Sequence, residues 1–578
     1  MTDLPPLDPD ADGIEQGKRL IRVGGDTGLS LAERMNEVFQ RIAWRTPLHG
    51  LRLSGRYPLK LITVADDPFL GDAARGNALM KGMLVFRGER RAADLIDLAK
   101  PDFSPAFADH LHGFAWLRDL STVAPRAQAA PVAEALMRLW LATHAAKVTD
   151  PAWRADLWGR RILMWVAHAP LILSSTDLVY RSSVLHALAR GARHLERTAD
   201  KVPAGPPRIA AWAGVIAAGL MIPGGEARRA FGEGGMARAL DASITGDGGT
   251  LGRSPVGQLD ALMLLVQLRA VYAARRIEMP GRIEEAVQRL VPALLGVTHG
   301  DRGLASWQGG APLSGDVVDA VVAASGVRTR PLRQAREWGY QRLSAQATVL
   351  ILDAAPPPAA RAGSGGCAST LAFELSDGAH RLVVNCGGGA MASAQLPPAL
   401  GQALRTTAAH STLVLGDSNS TAILSGGGLG RGVGEVELAR AETENLSRIE
   451  ASHDGYVRRF GFAHRRTIAL GGDGRDVRGE DSLIPSGRKR VGAATPFAIR
   501  FHLAPTVEAA LTADRQAAVL RLPGNLLWQF RCKGAPLAIE ESIWIDADGR
   551  PHPSEQLVIG GDAPAGGTSV SWWFHRSR

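Results

Sequence analysis

The side chains best placed to do chemistry are two histidines and a few arginines beside turns. His410 stands in RTTAAHSTLVLGDSNST (Arg405–Thr421), where a lone imidazole and Ser-Thr lead into a short apolar strand that ends at Gly-Asp. An imidazole there suits a base or a substrate-facing group, and equally a structural hydrogen bond. His464, in FGFAHRRTIAL, falls on the same side as Phe460 and Phe462 under a two-residue period, an unusual place for an imidazole without a partner. Arg208 follows Gly-Pro-Pro and Arg253 follows a Gly-rich turn. A guanidinium at either place could hold a carboxylate through two parallel hydrogen bonds. The plainer alternatives are a solvated Arg208 and an Arg253 paired with Asp247. His186, Arg190 and His194 recur every four residues and so share one helix face, either a basic row for a substrate or a solvated surface. Trp307 sits in the loop-like run HGDRGLASWQGG and is expected to be exposed, its indole free to pack on a sugar ring.

Such side chains need a framework of some size. At 578 residues the chain exceeds what one hydrophobic core supports, so at least two domains are expected. With 46% apolar and 21% charged residues it has a globular balance. Its net charge of +9 favours anionic partners: acidic polysaccharide, nucleic acid or an anionic membrane surface. Acids and bases are interspersed and no nucleic-acid recognition motif occurs, so specific nucleic-acid binding is not expected. Three widely spaced cysteines, Cys367, Cys386 and Cys532, make neither a zinc ribbon nor a disulfide framework. Cys386 closes an apolar run and is expected to be a buried thiol. The N-terminal MTDLPPLDPDADGIEQGKRL is acidic and proline-rich where an export signal needs a basic start and an apolar core. Apolar stretches such as Ile162–Leu173 and Ile209–Ile222 are too short or too interrupted to span a membrane and are expected as buried helices.

The pattern changes character once, near residue 330. After an irregular segment over 1–29, the chain from 30 to 330 has a helical period. LAERMNEVFQRIAW puts Leu31, Met35, Val38, Phe39 and Ile42 on one face, and similar runs recur between Gly/Pro breaks. Successive helix pairs without a tight sequence repeat, packed in a ring, would form an (α/α) toroid. From 331 to 578 the pattern is that of strands. PFAIRFHLAP alternates Phe497, Ile499, Phe501 and Leu503 on one face against Ala498, Arg500 and His502 on the other. Ser376-Asp377-Gly378 and Gly471–Arg475 mark hairpins. A large antiparallel β-sandwich follows from this pattern, with Ala354–Gly366 as a flexible crossover loop.

A helical half followed by an all-β half resembles the heparinase II/III-like family of bacterial polysaccharide lyases. The likeness is carried by AHSTLVLGD (Ala409–Asp417), DGYVRRFGFAHRRTIAL (Asp454–Leu470) and GEDSL (Gly479–Leu483), and in the first half by AGVIAAGLMIPG and DGGTLGRSP. It implies an incomplete (α/α) toroid joined to a β-sandwich, an acidic polysaccharide bound between them, and β-elimination beside a uronate. That reaction needs a group to neutralise the carboxylate, a base for the neighbouring proton and an acid for the leaving oxygen. The family supplies an Asn-His pair at one toroid helix start, a Tyr at another and a His from the sandwich. At the matching places this chain has Gly205-Pro206-Pro207-Arg208 and Ser254-Pro255-Val256-Gly257-Gln258. Amide, imidazole and phenol are thus replaced by Pro206, Pro207 and Gly257. The resemblance leaves His410 as candidate base, Arg253 or Arg208 to neutralise the uronate, and Trp307, His186, Arg190 and His194 to bind the sugars. It also implies one divalent metal, zinc, in the sandwich, with His410 and His464 as candidate ligands. Asp417 falls on the wrong face to join them, and Gly426–Gly432 lacks the Asp expected there. Two functions stay open: a lyase with an altered catalytic set, and a protein that binds acidic glycan without cleaving it. The resemblance places the protein in the cell envelope or periplasm, whereas the absence of an export signal favours the cytoplasm.

Overall fold

The structure is a computed structural model that describes residues 14, 17–22, 35, 44, 46–99, 102–359, 365–389, 396–424, 427–487 and 494–577. The helix expected from Leu31 to Trp44 lies outside these residues apart from Met35 and Trp44, both helical. Helices, with one hairpin of Met83–Phe86 and Glu89–Ala92, then carry the chain as far as Ser325, and strands, with short helices between them, carry it from Tyr340.

The helical half is built around Pro206–Met221. Its sequence, PPRIAAWAGVIAAGLM, is apolar on all sides, and every residue from Ile209 to Met221 is buried. A helix of that kind has to be enclosed. Ala155–Ala167, Leu178–Thr198, Glu226–Asp241 and Pro255–Ala274 enclose it. Small residues let the axes close: a Cβ added at Gly159 would lie 1.9 Å from the Ala210 carbonyl oxygen, and one at Gly214 would lie 2.6 Å from the Gly159 Cα. Pro206 and Pro207 stand in the first turn, where a missing N–H leaves no helical bond unmade. Among the described residues Pro255–Ala274 is the one helix long and apolar enough to cross a membrane, and its apolar face is buried in this same core.

Two antiparallel sheets make the second half. Among the described residues the larger has nine strands, in the order Gly17–Arg22, Glu435–Thr443, Leu446–His453, Phe462–Gly471, Asp476–Pro485, Thr568–Arg576, Leu526–Lys533, Ala517–Leu522 and Glu508–Leu511. The other runs Leu537–Ile545, Pro551–Ala563, Thr495–Leu503, His380–Val384, Phe373–Asp377, Thr348–Asp353 and Tyr340–Ala345, with Leu413–Leu415 paired to Thr495–Leu503. Phe462–Gly471 buries every second residue, as a strand with one face on the core should. Phe497, Ile499, Phe501 and Leu503 are buried as the alternation predicts. His502, expected on the other face, is buried too, because Cys386, Ala408 and Ser542 close over it. Gly17–Arg22 corrects the expectation of an irregular N-terminal segment: it is an edge strand, in register from Gly17 opposite Arg440 to Arg22 opposite Glu435. Its sequence, GKRLIR, has no alternation of its own, so the neighbouring strand supplies what its pattern does not.

Thr348–Asp353 and Phe373–Asp377 are buried along their whole length, so both of their faces are covered. The opposite sheet covers one; the helical half covers the other. Ala293, Val297, Ala305 and Trp307 from the helical half pack with Trp338, Tyr340, Val349 and Ile351 in one apolar cluster. Trp307 is fully buried there, which corrects its expected exposure. The run that carries it is irregular in backbone, yet its indole is a wedge between the halves rather than a platform for a sugar.

Candidate functional site at the junction of the two halves

Two helix starts meet where the resemblance expects the toroid's Asn-His and Tyr. Gly205 turns the chain into Pro206–Met221 at φ +108°, its N–H donating to Ser243 Oγ at 2.7 Å. Ser254 caps Pro255–Ala274, its Oγ accepting from the Gly257 N–H at 3.4 Å. A Cβ built on Gly257 would lie 3.8 Å from Pro206 Cγ. The two positions are therefore neighbours in space although 51 residues apart in the chain. What they present to each other is a pyrrolidine ring and a hydrogen atom, and neither moves a proton.

Arg253 lies just before that second helix and turns its side chain into the sandwich. Its Nε donates to the Trp338 carbonyl at 2.7 Å, Nη1 to the Pro356 carbonyl at 2.7 Å, and Nη2 to Asp353 Oδ1 at 2.5 Å. Asp353 accepts in addition from Ser369 Oγ at 2.7 Å and Gln308 Nε2 at 3.3 Å, and Tyr340 Oη donates back to the Arg253 carbonyl at 2.6 Å. Both charged groups are buried. Asp247, the partner expected from sequence, instead accepts the backbone N–H groups of Glu337 and Trp338 at 2.8 and 3.0 Å. Arg253 is thus a clamp between the halves with its donors already spent, and not a free hand for a uronate. Arg208 donates through Nε to the Val202 carbonyl at 2.7 Å and is half-buried beside the two prolines.

His410 is 2% exposed. Its Nδ1–H donates to the Thr406 carbonyl at 2.7 Å, which fixes the tautomer and leaves Nε2 as the basic nitrogen, without a hydrogen-bond partner among the described residues. Burial lowers its pKa, opposed by that carbonyl, so the ring is neutral. The residue after it anchors a second relay across the junction. Ser411 N donates to Asn385 Oδ1 at 3.0 Å, Asn385 Nδ2 to Glu374 Oε1 at 2.8 Å, and His299 Nε2 to Glu374 Oε2 at 2.9 Å. Burial raises Glu374, but the His299 hydrogen bond and charge, with Arg381 and the Ser306 N–H, together outweigh it and hold the carboxyl below its ordinary range. Sequence reading missed His299, Glu374, Asn385 and Asp353. A signal for one was present: Glu374 interrupts the apolar run LAFEL, and a carboxylate there needs a buried partner.

His464 belongs to a different network. Gly455 N–H donates to His453 Nδ1 at 3.1 Å, so His453 Nε2–H donates to His464 Nδ1 at 3.2 Å, and His464 Nε2–H to Asp481 Oδ1 at 2.7 Å. Arg466 grips the same carboxylate at 2.8 and 3.0 Å, and Trp572 Nε1 donates to it at 2.8 Å. The ring nitrogens and carboxylate oxygens a metal would need are engaged, and His410 sits in the other network. Among the described residues no three His, Cys, Asp or Glu side chains converge as a metal site. A structural zinc takes four ligands, and this donor set does not fit one. Dialysis against EDTA is accordingly expected to leave the melting temperature within about 1 °C. A large drop that zinc reverses would contradict that account.

The basic row on Leu178–Thr198 divides. His194 is fully buried, with Nε2 donating to the Trp153 carbonyl at 2.9 Å and Nδ1 at 3.1 Å from His49 Nε2, which corrects its placing on a substrate-facing surface. His186 stacks on Tyr57 at 4.8 Å, and Arg190 donates to the Ala146 carbonyl at 3.1 Å. Neither makes a contact with the Pro206–Gly257 junction. Cys386 is buried as expected, its thiol pushed up to about 12 by burial.

Residues 327–573 match the heparinase II/III-like C-terminal family. FtsZ-localized protein C of Caulobacter vibrioides is 29% identical over 91% of this chain and 92% of its own length. Among solved structures, heparinase III superposes with a TM-score of 0.70 at 13% identity, covering 96% of this chain and 93% of that one. A mutant heparan sulfate lyase HepC from Pedobacter heparinus gives 0.60 at 12% identity, covering 94% and 89%. At such identities these two speak for fold alone. Residues 327–573 are thus a heparinase II/III-like C-terminal domain, and the helical half and sandwich together have a polysaccharide-lyase-like fold.

Proposed function

We propose that this protein is a heparinase II/III-like protein that binds acidic glycan without cleaving it. The observation that carries the reading is the meeting of Pro206 and Gly257, with 3.8 Å between the ring and the place of the missing Cβ. The helix starts keep the arrangement of a site while the groups that would move protons are absent from them. Arg253 supports the same reading, since its guanidinium is spent on Asp353 and backbone carbonyls. The net charge of +9 suits an anionic polymer. One observation favours a working lyase instead: the His410 tautomer leaves Nε2 as an unprotonated base.

Incubation with a panel of uronic-acid polysaccharides separates the two. The expected result is retention on immobilised acidic glycan that weakens with salt, with no rise in the ultraviolet absorbance of unsaturated uronate. Product that forms with the wild-type chain and vanishes in His410→Ala would establish the lyase reading. Failure to bind any of the polysaccharides would sink both. A relative named for localising with FtsZ supports a place of action shared with FtsZ rather than the periplasm. Co-localisation of a fluorescent fusion with FtsZ tests that part separately.

A further inference from the structure

Away from the junction, the helices Leu178–Thr198 and Glu226–Asp241 leave an open groove of about 420 Å³ between them, lined by Glu196, Arg197, Ala227, Arg228 and Phe231. Phe231 is 48% exposed, and its ring meets the buried Trp212 edge to face at 5.3 Å, so it is held in place while still offering apolar surface. Cations cluster on one side of the groove, while Glu226 stands exposed beside Ala227 on the other. Arg193, Arg197 and Lys201 come from one wall, with Arg52 and Arg56 on the segment that Arg193 holds through the Leu53 and Arg56 carbonyls. Burial and then Arg228 lower the pKa of Arg193, Glu196 opposing, and Arg197 and Arg190 lower it further. Burial and then Arg197, Arg52, Lys201 and Arg190 do the same to His49, so these cations form one field. Both carboxylates among them are taken, Glu196 by Arg228 at 2.6 Å and Asp200 by Arg238 at 3.2 Å. Among the described residues no carboxylate pairs with Arg52, Arg56, Arg193, Arg197 or Lys201.

We propose that this groove docks an acidic peptide segment of a partner protein, which lays an apolar side chain against Phe231 and carboxylates against Arg197 and Lys201. A concave site between two helices admits a chain with side chains. Guanidinium groups match carboxylates through paired hydrogen bonds. A flat bilayer surface would engage the outer cations without filling the groove. The proposal is independent of whether the junction binds glycan.

Fluorescence anisotropy with the full chain tests it, using a labelled glutamate-rich peptide with one central Phe and a control with Gln for every Glu. The acidic probe is expected to bind more weakly as salt rises. Arg197→Glu, Arg197→Gln and Phe231→Ser are each expected to weaken it, the charge reversal by roughly tenfold or more. Their melting temperatures should stay within about 2 °C of wild type, because Arg197 is exposed and Phe231 half so. An acidic probe that binds no better than its control, or whose binding none of the three variants moves, overturns the proposal. Phosphatidylglycerol vesicles form the last arm: capture by vesicles that Arg197→Glu abolishes, with no binding of the peptide, assigns the surface to lipid and also overturns it.

Discussion

Arg253→Ala is expected to destabilise the protein by about 3–5 kcal/mol, the usual cost of removing one member of a buried ion pair. The loss arises less from the bond than from what stays behind. Asp353 is fully buried and would keep only Ser369 and the longer Gln308 contact, so its charge would face an interior that cannot solvate it. Three carbonyl and carboxylate acceptors lose their donor at once: those of Trp338, Pro356 and Asp353. Because Arg253 stands in the helical half and its partners in or beside the sandwich, the variant should also loosen one half from the other. Denaturant unfolding followed by tryptophan fluorescence is then expected to show two transitions where the wild type shows one. Asp353→Ala should cost a similar amount, and the double variant less than the sum, since each single change strands the other partner. A substrate-gripping arginine in an open cleft would behave otherwise. Its removal would move stability by no more than about 0.5 kcal/mol while abolishing binding, and that outcome would return Arg253 to the site.

How far the sequence discloses this arrangement depends on the distance over which its signals act. Helical and strand periods are local, and they place the toroid, the sandwich, the burial of Ile209–Met221 and the alternation of Phe462–Gly471 correctly. AHSTLVLGD likewise leads to His410 and, one residue on, to the Ser411 that ties three segments together. The partners that decide what Arg253 does are of another kind. Asp353 is 100 residues away and Glu374 is 75 residues from His299. Pairings at that range leave no periodic trace in a single sequence. Trp307 fails for a related reason, since loop-like composition describes the backbone while burial of the indole depends on a strand that follows later in the chain. His464 shows the intermediate case: its place on an apolar face announces a partner, but a metal, an acid and a second histidine satisfy that announcement equally well. The structure resolves it as His453 on one nitrogen and Asp481 on the other.

The second large effect is loss of stability in mild acid, and its cause is a set of buried imidazoles. His110, His112, His194 and His502 are each pushed down to about 3, burial being the largest cause in every case. In the unfolded chain the same groups titrate near 6.5. A folded pKa below the unfolded one means that, under pH 6.5, the unfolded chain takes up protons that the native state refuses. Their contribution is therefore whole above that value and drains away as the pH falls toward 3. For the four together the loss between about pH 7 and pH 5.5 amounts to roughly 5 kcal/mol, comparable with the whole stability of many domains. Carboxylates such as Glu374 and Asp481 are held below their ordinary range and pull the same way, but only at still lower pH. The melting temperature is thus expected to fall steeply from neutrality to mild acid and to be nearly flat just above neutrality. His112→Phe supplies the check: it removes one titrating group whose electrostatic neighbours, Arg161, His144 and Arg154, are all basic. It should therefore flatten the descent by about a quarter. A profile that is level down to the carboxylate range, or one that His112→Phe leaves as steep, would mean that these histidines reach solvent or a counter-charge in the native protein.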